Sequence, residues 1–406
     1  MSAGIVLLAA TAGAQTLARP GWAGSGMSAE PWWKRAVVYD ADVRSLSAGL
    51  KGVTARLDFV QSLGVDALAV GPLNAAGAGC ATVDAKLGTE QDFTELLREA
   101  GRRRVRVLVH LRWNAATDGK QRMLDCMRVW MDRGVAGFEL DAANADAAGL
   151  DETLRAMRKA VNASVGQRVL AGEAPATDAT GLAKMIGRGD EMQLPADTAL
   201  GFVDRLDAAR LRTLLTETQT KMNGNLPLLL FDDAQHTSSR ERYAASGANP
   251  DDIERVLAAI LLGTRDAAQL TAAQVLTPEE MGAKGDAAAE SETGSLRNWV
   301  RRLVTLRKSS AALLTGSQTF FDHDTEGALV WVRRPAAVSA DQPAVVVACN
   351  LTGRAVTLSL KDDLKRAGLH GFYLRTLART DQGMGAMDLE AVRVPAWGVY
   401  VGELHR

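Results

Sequence analysis

The segment Gly134-Val-Ala-Gly-Phe-Glu-Leu-Asp141 says most about the architecture of this 406-residue chain. It has the length and composition of a short buried strand, and its last residue is a carboxylate. Residues 122–133 precede it with helical periodicity, and Val169-Leu-Ala-Gly-Glu173 follows as a second strand that ends in a carboxylate. Short apolar strands that alternate with amphipathic helices are typical of βα units, in which successive strands run parallel.

The same alternation extends in both directions from this segment. Parallel strands buried on both faces need a covering helix after each strand, so the pattern predicts an α/β fold, a (β/α)₈ TIM barrel. The length suffices for a barrel of about 250 residues and a smaller domain. The predicted strands are 36–39, 67–70, 105–111, 137–141, 169–172, 191–194 and 226–231; the predicted helices are 54–63, 92–100, 122–133, 253–262 and 296–308.

The pattern changes near residue 311. From about Gln318 short alternating segments are separated by turn residues, as in 328–332, 344–348 and 355–360. Such segments are typical of antiparallel strands. We therefore predict a barrel over residues 31–310 and a C-terminal all-β domain over residues 311–406.

Residues 1–30 are interpreted as a signal-like segment and linker. An apolar run, Ile5 to Ala12, ends at Ala12-Gly13-Ala14, which fits a small-residue cleavage site, although no Lys or Arg precedes the run. A truncated or atypical signal peptide predicts a periplasmic or secreted protein; a small-residue tail on a cytoplasmic protein is the alternative. No segment reaches the ~18 apolar residues of a membrane helix, so none is expected.

Charge and cysteine content exclude several classes of protein. The 47 Lys and Arg residues balance 48 Asp and Glu, for a formal net charge of −1, and nothing indicates nucleic acid as a partner. Cys80, Cys126 and Cys349 lie too far apart for a zinc motif, so no metal and no cofactor is expected. One disulfide or three thiols are the alternatives, and three thiols are the expectation.

Three collinear segments resemble the α-amylase family, glycoside hydrolase family 13. Pro31-Trp-Trp-Lys-Arg-Ala-Val-Val-Tyr39 is similar to the opening strand of that family, and Leu63-Gly-Val-Asp-Ala-Leu68 to its second strand. Leu87-Gly-Thr-Glu-Gln-Asp-Phe93 resembles the family's FGTxxDF helix start. The resemblance implies the barrel, the small β domain after it and chemistry on α-glucosidic bonds, with an α-glucoside or oligosaccharide as partner.

The resemblance places the two central carboxylates of a retaining glycosidase. Residues 134–141 are similar to the family's GVxGFRxD, which puts Asp141 on the nucleophile. Val169-Leu-Ala-Gly-Glu173 is similar to its xxxGE, which puts Glu173 on the acid/base. A retaining mechanism needs these groups ~5 Å apart, one attacking the anomeric carbon and the other protonating the leaving oxygen.

Departures from the family begin on the same two strands. Glu139 stands where the family has an arginine that hydrogen-bonds the nucleophile. Because residues i and i+2 of a strand share a face, Glu139 is expected to set a second carboxylate beside Asp141, raise one carboxyl pKa and weaken the nucleophile.

The preceding strand departs as well. Residues 107–115 resemble the family's DLVxNH, in which His110 replaces the Asp, Asn114 is kept and Ala115 replaces a substrate-binding His. His110 is either a general base or a hydrogen-bonded core histidine, and the second interpretation is favoured. The few residues between Asn114 and the next helix leave no room for the family's protruding B domain and its calcium site.

The third carboxylate of the family is missing from its expected place. Residues 229–243 resemble FDNHDxxRSxxRY, with Ala234 in place of the His and Gln235 in place of the stabilising Asp. Asp233 could substitute for that Asp only if this strand end were rebuilt.

Two hypotheses follow for the function. The first is a glycoside hydrolase-like protein of carbohydrate metabolism that acts on or binds α-glucosides, is catalytically impaired and, if active, is a retaining α-glycosidase. The alternative is a non-catalytic scaffold or partner-binding barrel, similar to the heavy subunits of amino-acid transporters.

Overall fold

Eight parallel strands close into a barrel in the order of the chain, and β8 pairs with β1. The computed structural model describes residues 30–46, 48–74, 80–113, 119–142, 149–173, 178–232, 237–276 and 295–406. The strands are β1 Val37–Asp42, β2 Ala67–Gly71, β3 Arg106–Arg112, β4 Gly137–Asp141, β5 Val169–Glu173, β6 Leu194–Asp197, β7 Leu228–Leu229 and β8 Ala267–Leu270. The predicted (β/α)₈ barrel is confirmed.

Helices cover the outside of this barrel. They are α1 Gly49–Ala55, α2 Leu57–Leu63, α3 Glu90–Arg102, α4 Lys120–Arg133, α5 Leu150–Ala163, α6 Ala179–Lys184, α7 Ala208–Lys221, α8 Ser239–Arg242, α9 Pro250–Gly263, α10 Leu296–Ser309 and α11 Ala311–Thr315. Four 3₁₀ turns, 32–35, 199–202, 244–246 and 272–274, complete the described part of this region.

Side-chain size separates the two layers of the barrel. The interior is filled by small residues, among them Ala67, Ala69, Ala171 and Ala196, with Leu108 among the larger ones. Larger aliphatic and aromatic side chains lie on the outer face of the strands, against the helices. This division leaves space at the carboxyl end of the barrel for the polar side chains described below.

Local sequence sets the start and the burial of the helices. Thr89 caps α3: its Oγ1 accepts from the Asp92 amide at 3.1 Å and the Asp92 carboxylate accepts from the Thr89 amide at 2.9 Å. Helix α9 is apolar on all sides, and Ile253 to Gly263 are mostly buried, because it packs against β8, α10 and the C-terminal sheet.

The C-terminal region is antiparallel, as predicted. Six strands form one sheet in the order β14-β13-β16-β11-β10-β9, and β12 pairs with β15. A short helix, α12, spans Lys361–Arg366. The strands are β9 Ser317–Phe321, β10 Ala328–Arg334, β11 Val345–Asn350, β12 Val356–Leu358, β13 Tyr373–Arg379, β14 Ala386–Asp388, β15 Val392–Val394 and β16 Val399–His405.

Buried donors join the barrel to this sheet. Arg307 of α10 donates to the carbonyls of Leu262 at 2.9 Å and Thr264 at 2.6 Å, just where α9 ends. Trp331 Nε1 and Arg333 Nη1, both from β10, donate to the Gly263 carbonyl at 3.0 Å. The last carbonyls of a helix have no partner within the helix, so these donors satisfy buried groups that would otherwise be costly. The described residues between Trp32 and Arg406 accordingly form one compact unit.

Several predicted boundaries were wrong in detail. The expected helix 54–63 is two helices that meet at Arg56. The expected strand 191–194 begins only at Leu194, because Glu191 lies in the turn that precedes it and is ion-paired with Arg155 at 2.8 Å. Both errors come from tertiary packing that the apolar pattern does not report.

The expectation of three thiols is corrected. Cys80 and Cys126 form a disulfide with their Cα atoms 5.8 Å apart, and Cys349 is a buried free cysteine. The bridge ties the chain ahead of α3 to α4, where Trp130 Nε1 donates to the Cys80 carbonyl at 3.0 Å. The sequence could not choose between the alternatives, because the two cysteines are 46 residues apart and meet only through the barrel.

Among the described residues, no helix is long and apolar enough to cross a membrane. Residues 1–29, which hold the signal-like segment, lie outside the described residues.

Reduction of the disulfide is expected to destabilise the fold. Closing a loop of 46 residues stabilises a folded chain by about 4 kcal/mol in the chain-entropy model. The midpoint of thermal unfolding, followed by circular dichroism, should therefore fall when reductant is added. Cys126→Ser should show the lower midpoint without reductant and no further change with it. An unchanged midpoint in reduced wild-type protein would contradict the expectation.

Candidate active site at the carboxyl end of the barrel

Three charged side chains lie side by side where β3, β4 and β5 end. In the strand register Arg112 is opposite Asp141, and Asp141 is opposite Glu173. Neighbouring strands are about 4.8 Å apart, and paired residues point to the same face. The register thus brings the two carboxylates predicted to be nucleophile and acid/base onto neighbouring strands at the same height.

Glycine makes this close pairing feasible. Gly172 of β5 has a φ of +127°, and a Cβ at this position would lie 2.2 Å from the backbone nitrogen and oxygen of Leu140 in β4. Any other residue would push the two strands apart just before Asp141 and Glu173. The Gly-Glu dipeptide of β5 therefore has a steric reason as well as a chemical one.

Asp141 forms an ion pair with Arg112. The distance from Arg112 Nε to Asp141 Oδ2 is 3.6 Å, and the two side chains are 48% and 38% exposed. An ion pair this exposed adds little to stability, since water and salt screen it. The main effect of the ion pair is to orient the Asp141 carboxylate.

A second polar group lies one layer deeper in the barrel. His110 of β3 places Nε2 3.1 Å from Asp40 Oδ1 of β1 and 3.5 Å from Glu139 Oε2 of β4. Gln269 of β8 makes a side-chain hydrogen bond with Glu139. His110 is thus hydrogen-bonded and largely buried, although its partners are acidic groups and not the backbone.

The charges in this layer stabilise one another. Burial alone would lower the pKa of His110, but the carboxylates of Glu139 and Asp40 outweigh it and raise the pKa to about 10. Burial raises the pKa of Glu139, which is 6% exposed, and the charge of Asp40 adds to that shift while His110 opposes it. A carboxylate does raise the pKa of Glu139, but it is Asp40 and not Asp141, because Glu139 faces His110 across the strand pair.

Asp232 at the end of β7 is buried and has a structural task. Its carboxylate accepts from the Ser239 amide at 2.6 Å and from the Ser239 hydroxyl at 2.9 Å. The same hydroxyl lies 2.8 Å from Glu254, whose pKa burial raises to about 7. These bonds fasten the start of α8 to α9, next to the barrel mouth.

A cavity of about 380 Å³ opens at the same end of the barrel. Asp40, His110, Arg112, Asp232 and Thr271 line it, and Arg112 also pairs with Asp141. Its volume lies at the lower end of the range for small-molecule sites, about 300–1,000 Å³.

Three of the predicted site residues cannot be placed. Asn114, Asp233 and Gln235 lie outside the described residues, as do Ala115 and Ala234, so their roles stay predictions. Within the described ranges no cluster of His, Cys, Asp and Glu is suited to hold a metal ion.

Sequence reasoning missed two residues of the site. Asp40 lies two residues after Val38 and Arg112 lies four residues after Leu108. Because Val38 and Leu108 fill the barrel interior, strand alternation alone would have placed Asp40 and Arg112 inside. That signal was available, but a charged residue near a strand end is ordinarily exposed.

Two solved structures with this fold are named as an α-glucosyl transfer enzyme and a trehalose-6-phosphate hydrolase. The α-glucosyl transfer enzyme XgtA superposes with a TM-score of 0.76 at 18% identity, covering 92% of this chain and 99% of that one. The trehalose-6-phosphate hydrolase of Bacillus licheniformis has a TM-score of 0.76 at 16% identity, covering 93% and 100%. At such low identity these likenesses establish the fold.

Sequence comparison gives shorter matches. An α-glucosidase of Pediococcus pentosaceus is 31% identical over 102 residues, 21% of this chain and 18% of its own length. A probable α-glucosidase of Rhizobium meliloti (strain 1021) is 33% identical over 95 residues, 20% and 17%. An amino acid transporter heavy chain of Oryctolagus cuniculus is 24% identical over 142 residues, 29% and 27%. Each match thus spans less than a third of the relative's length. No family model matches the chain.

The chain thus has the (β/α)₈ fold of these glycoside hydrolase-like enzymes. The short sequence matches to α-glucosidases agree with the resemblance to the α-amylase family, glycoside hydrolase family 13.

The buried histidine is expected to make stability depend on pH. Since the pKa of His110 is raised from 6.5 to about 10 by folding, its stabilising effect is complete below pH 6.5 and is lost as the pH rises through 10. The midpoint of thermal unfolding, measured from pH 6.5 to 10, should fall less in His110→Gln than in wild type. His370→Gln, an exposed site in the C-terminal region, should keep the wild-type profile. Identical slopes for His110→Gln and wild type would refute this assignment.

Proposed function

We propose that this protein binds α-glucosides at the barrel mouth and turns them over slowly or not at all. The observation that supports this most is the in-register placement of Asp141 and Glu173 beside a changed set of charges. Two carboxyl groups on neighbouring strand ends are what this proposal needs for attack on an acetal carbon. The groups around the pair are those of an altered site.

The chemistry open to the pair is retaining glycoside transfer. Asp141 would attack the anomeric carbon and form a glycosyl ester, while Glu173 gives its proton to the leaving oxygen. Glu173 would then take a proton from the incoming water, which breaks the ester and restores both carboxyls. No metal or cofactor enters either step.

Two charged groups that would favour this reaction are replaced. The resemblance puts Gln235 in place of the stabilising Asp and Glu139 in place of an arginine. Each electrostatic group of this kind is typically worth about 3 kcal/mol in the transition state, or roughly a hundredfold in rate. Losing both leaves trace activity at most.

The alternative, a partner-binding scaffold, is not favoured. One matched relative is an amino acid transporter heavy chain, but the solved structures with this fold and two of the matched relatives are named as enzymes of glucosides.

We further propose a periplasmic or secreted location. Disulfides persist in oxidising compartments, and Cys80 and Cys126 form a disulfide. The apolar run from Ile5 to Ala12 is consistent with a signal peptide. A C-terminally tagged chain should therefore appear in the periplasm or the medium of its host with this bridge formed. Recovery of the tagged chain, reduced, from the cytosol would contradict the proposal.

Purified protein should bind sugar without efficient turnover. Maltotriose or acarbose should raise the midpoint of thermal unfolding, because a ligand that binds only the folded state stabilises it. Release of nitrophenol from aryl α-glucosides should be absent or very slow. Glu173→Gln serves as the matched control, since it keeps the size of the side chain and removes the acid. Fast turnover that Glu173→Gln abolishes would contradict the proposal that catalysis is impaired. An unchanged midpoint with both sugars would contradict the proposal that the barrel mouth binds α-glucosides.

A further inference from the structure

The charges on β3 and β4 form two cross-strand pairs, one above the other. Arg112 is opposite Asp141 at the mouth, and His110 is opposite Glu139 one layer below. Both cations belong to β3 and both anions to β4. We propose that Arg112 is the positioning residue for Asp141, so that Asp141 needs no cation at position 139. The His110–Glu139 pair beneath it, in turn, disfavours a cation at position 139.

The upper pair carries the positioning role. Arg112 Nε is 3.6 Å from Asp141 Oδ2, and strand pairing holds the two residues at the same height. A guanidinium fixed by a neighbouring strand restrains the carboxylate from the side, because the two backbones cannot slide past each other without breaking the barrel. Arg112 also lines the mouth cavity, so it orients the Asp141 carboxylate relative to a ligand in that cavity.

A positively charged side chain at position 139 would be unfavourable, because His110 already places a cation beside it. Glu139 is two residues below Asp141, about 7 Å along the strand, and it is almost fully buried. Its Oε2 has no hydrogen-bond partner, and His110 Nε2 lies 3.5 Å away as a charged neighbour. An arginine here would face His110, whose remaining acidic neighbours Asp40 and Glu173 still favour its protonated form. Two cations would then share a buried layer.

The two pairs are therefore interdependent. A carboxylate at 139 needs the cation at 110, and with that cation in place the cation for Asp141 has to come from elsewhere. Arg112 of β3 supplies it. The inference rests on the proposed function in one respect only, that Asp141 is the reacting carboxylate; the pairs themselves rest on register and distance.

Chemical modification of Asp141 tests the upper pair without requiring turnover. The probe is a water-soluble carbodiimide with glycine ethyl ester, and the rate of amide formation at Asp141 is read by peptide mass spectrometry. Arg112→Ala should raise that rate about two- to fivefold, the factor expected for an exposed ion pair. Arg112→Lys should lie near wild type, and added guanidinium below denaturing concentration should slow the reaction of Arg112→Ala alone.

Arg44→Ala is the matched control for the upper pair. It removes one positive charge from the lining of the same cavity, yet no contact of Arg44 with Asp141 is described. Its modification rate should equal that of wild type. An Arg112→Ala rate equal to wild type, or an equal rise in Arg44→Ala, would overturn the positioning role.

Exchange of charges tests the lower pair. Glu139→Arg alone should lower the midpoint of thermal unfolding or prevent folding, and His110→Asp with Glu139→Arg should recover most of the loss. Wild-type stability of the single variant, or a double variant no better than the single, would overturn the interdependence. These outcomes are separate from the proposed function, because failure of sugar binding would appear in the wild-type chain and leave both tests readable.

Discussion

The parallel pairing of β3, β4 and β5 is the constraint on which the site depends. Arg112, Asp141 and Glu173 belong to different segments of the chain, and only the strand register sets them at one height. Gly172 permits that register because a side chain there would meet the backbone of β4. The barrel therefore determines the distance between these side chains before any loop contributes.

The charges follow from the same pairing. A glutamate buried in a barrel needs a cation or a proton, and His110 on the adjacent strand provides the cation at 3.5 Å. Removal of His110 would leave the buried Glu139 carboxylate without this cation, whereas His110 would keep Asp40 as a partner if Glu139 were removed. Positions 110 and 139, which both depart from the family pattern in sequence, are therefore linked through one contact.

Stability of this arrangement comes from farther away. Arg307, Trp331 and Arg333 satisfy the last carbonyls of α9 and couple the barrel to the C-terminal sheet. The Cys80–Cys126 bridge restrains the chain between β2 and α4. Neither feature follows from apolar periodicity, because each depends on residues that are distant in sequence and meet only when the barrel is closed.

The amino-acid pattern alone determined the βα alternation, the antiparallel C-terminal region and the strand ends at Asp141 and Glu173, since periods of two and 3.6 residues are local properties. It also showed that Glu139 and His110 depart from the family. Only the tertiary structure decided what they contact: which carboxylate faces which cation depends on register between strands, and the pKa of a buried group depends on everything packed around it. Arg112 was overlooked for that reason, because its partner lies on another strand.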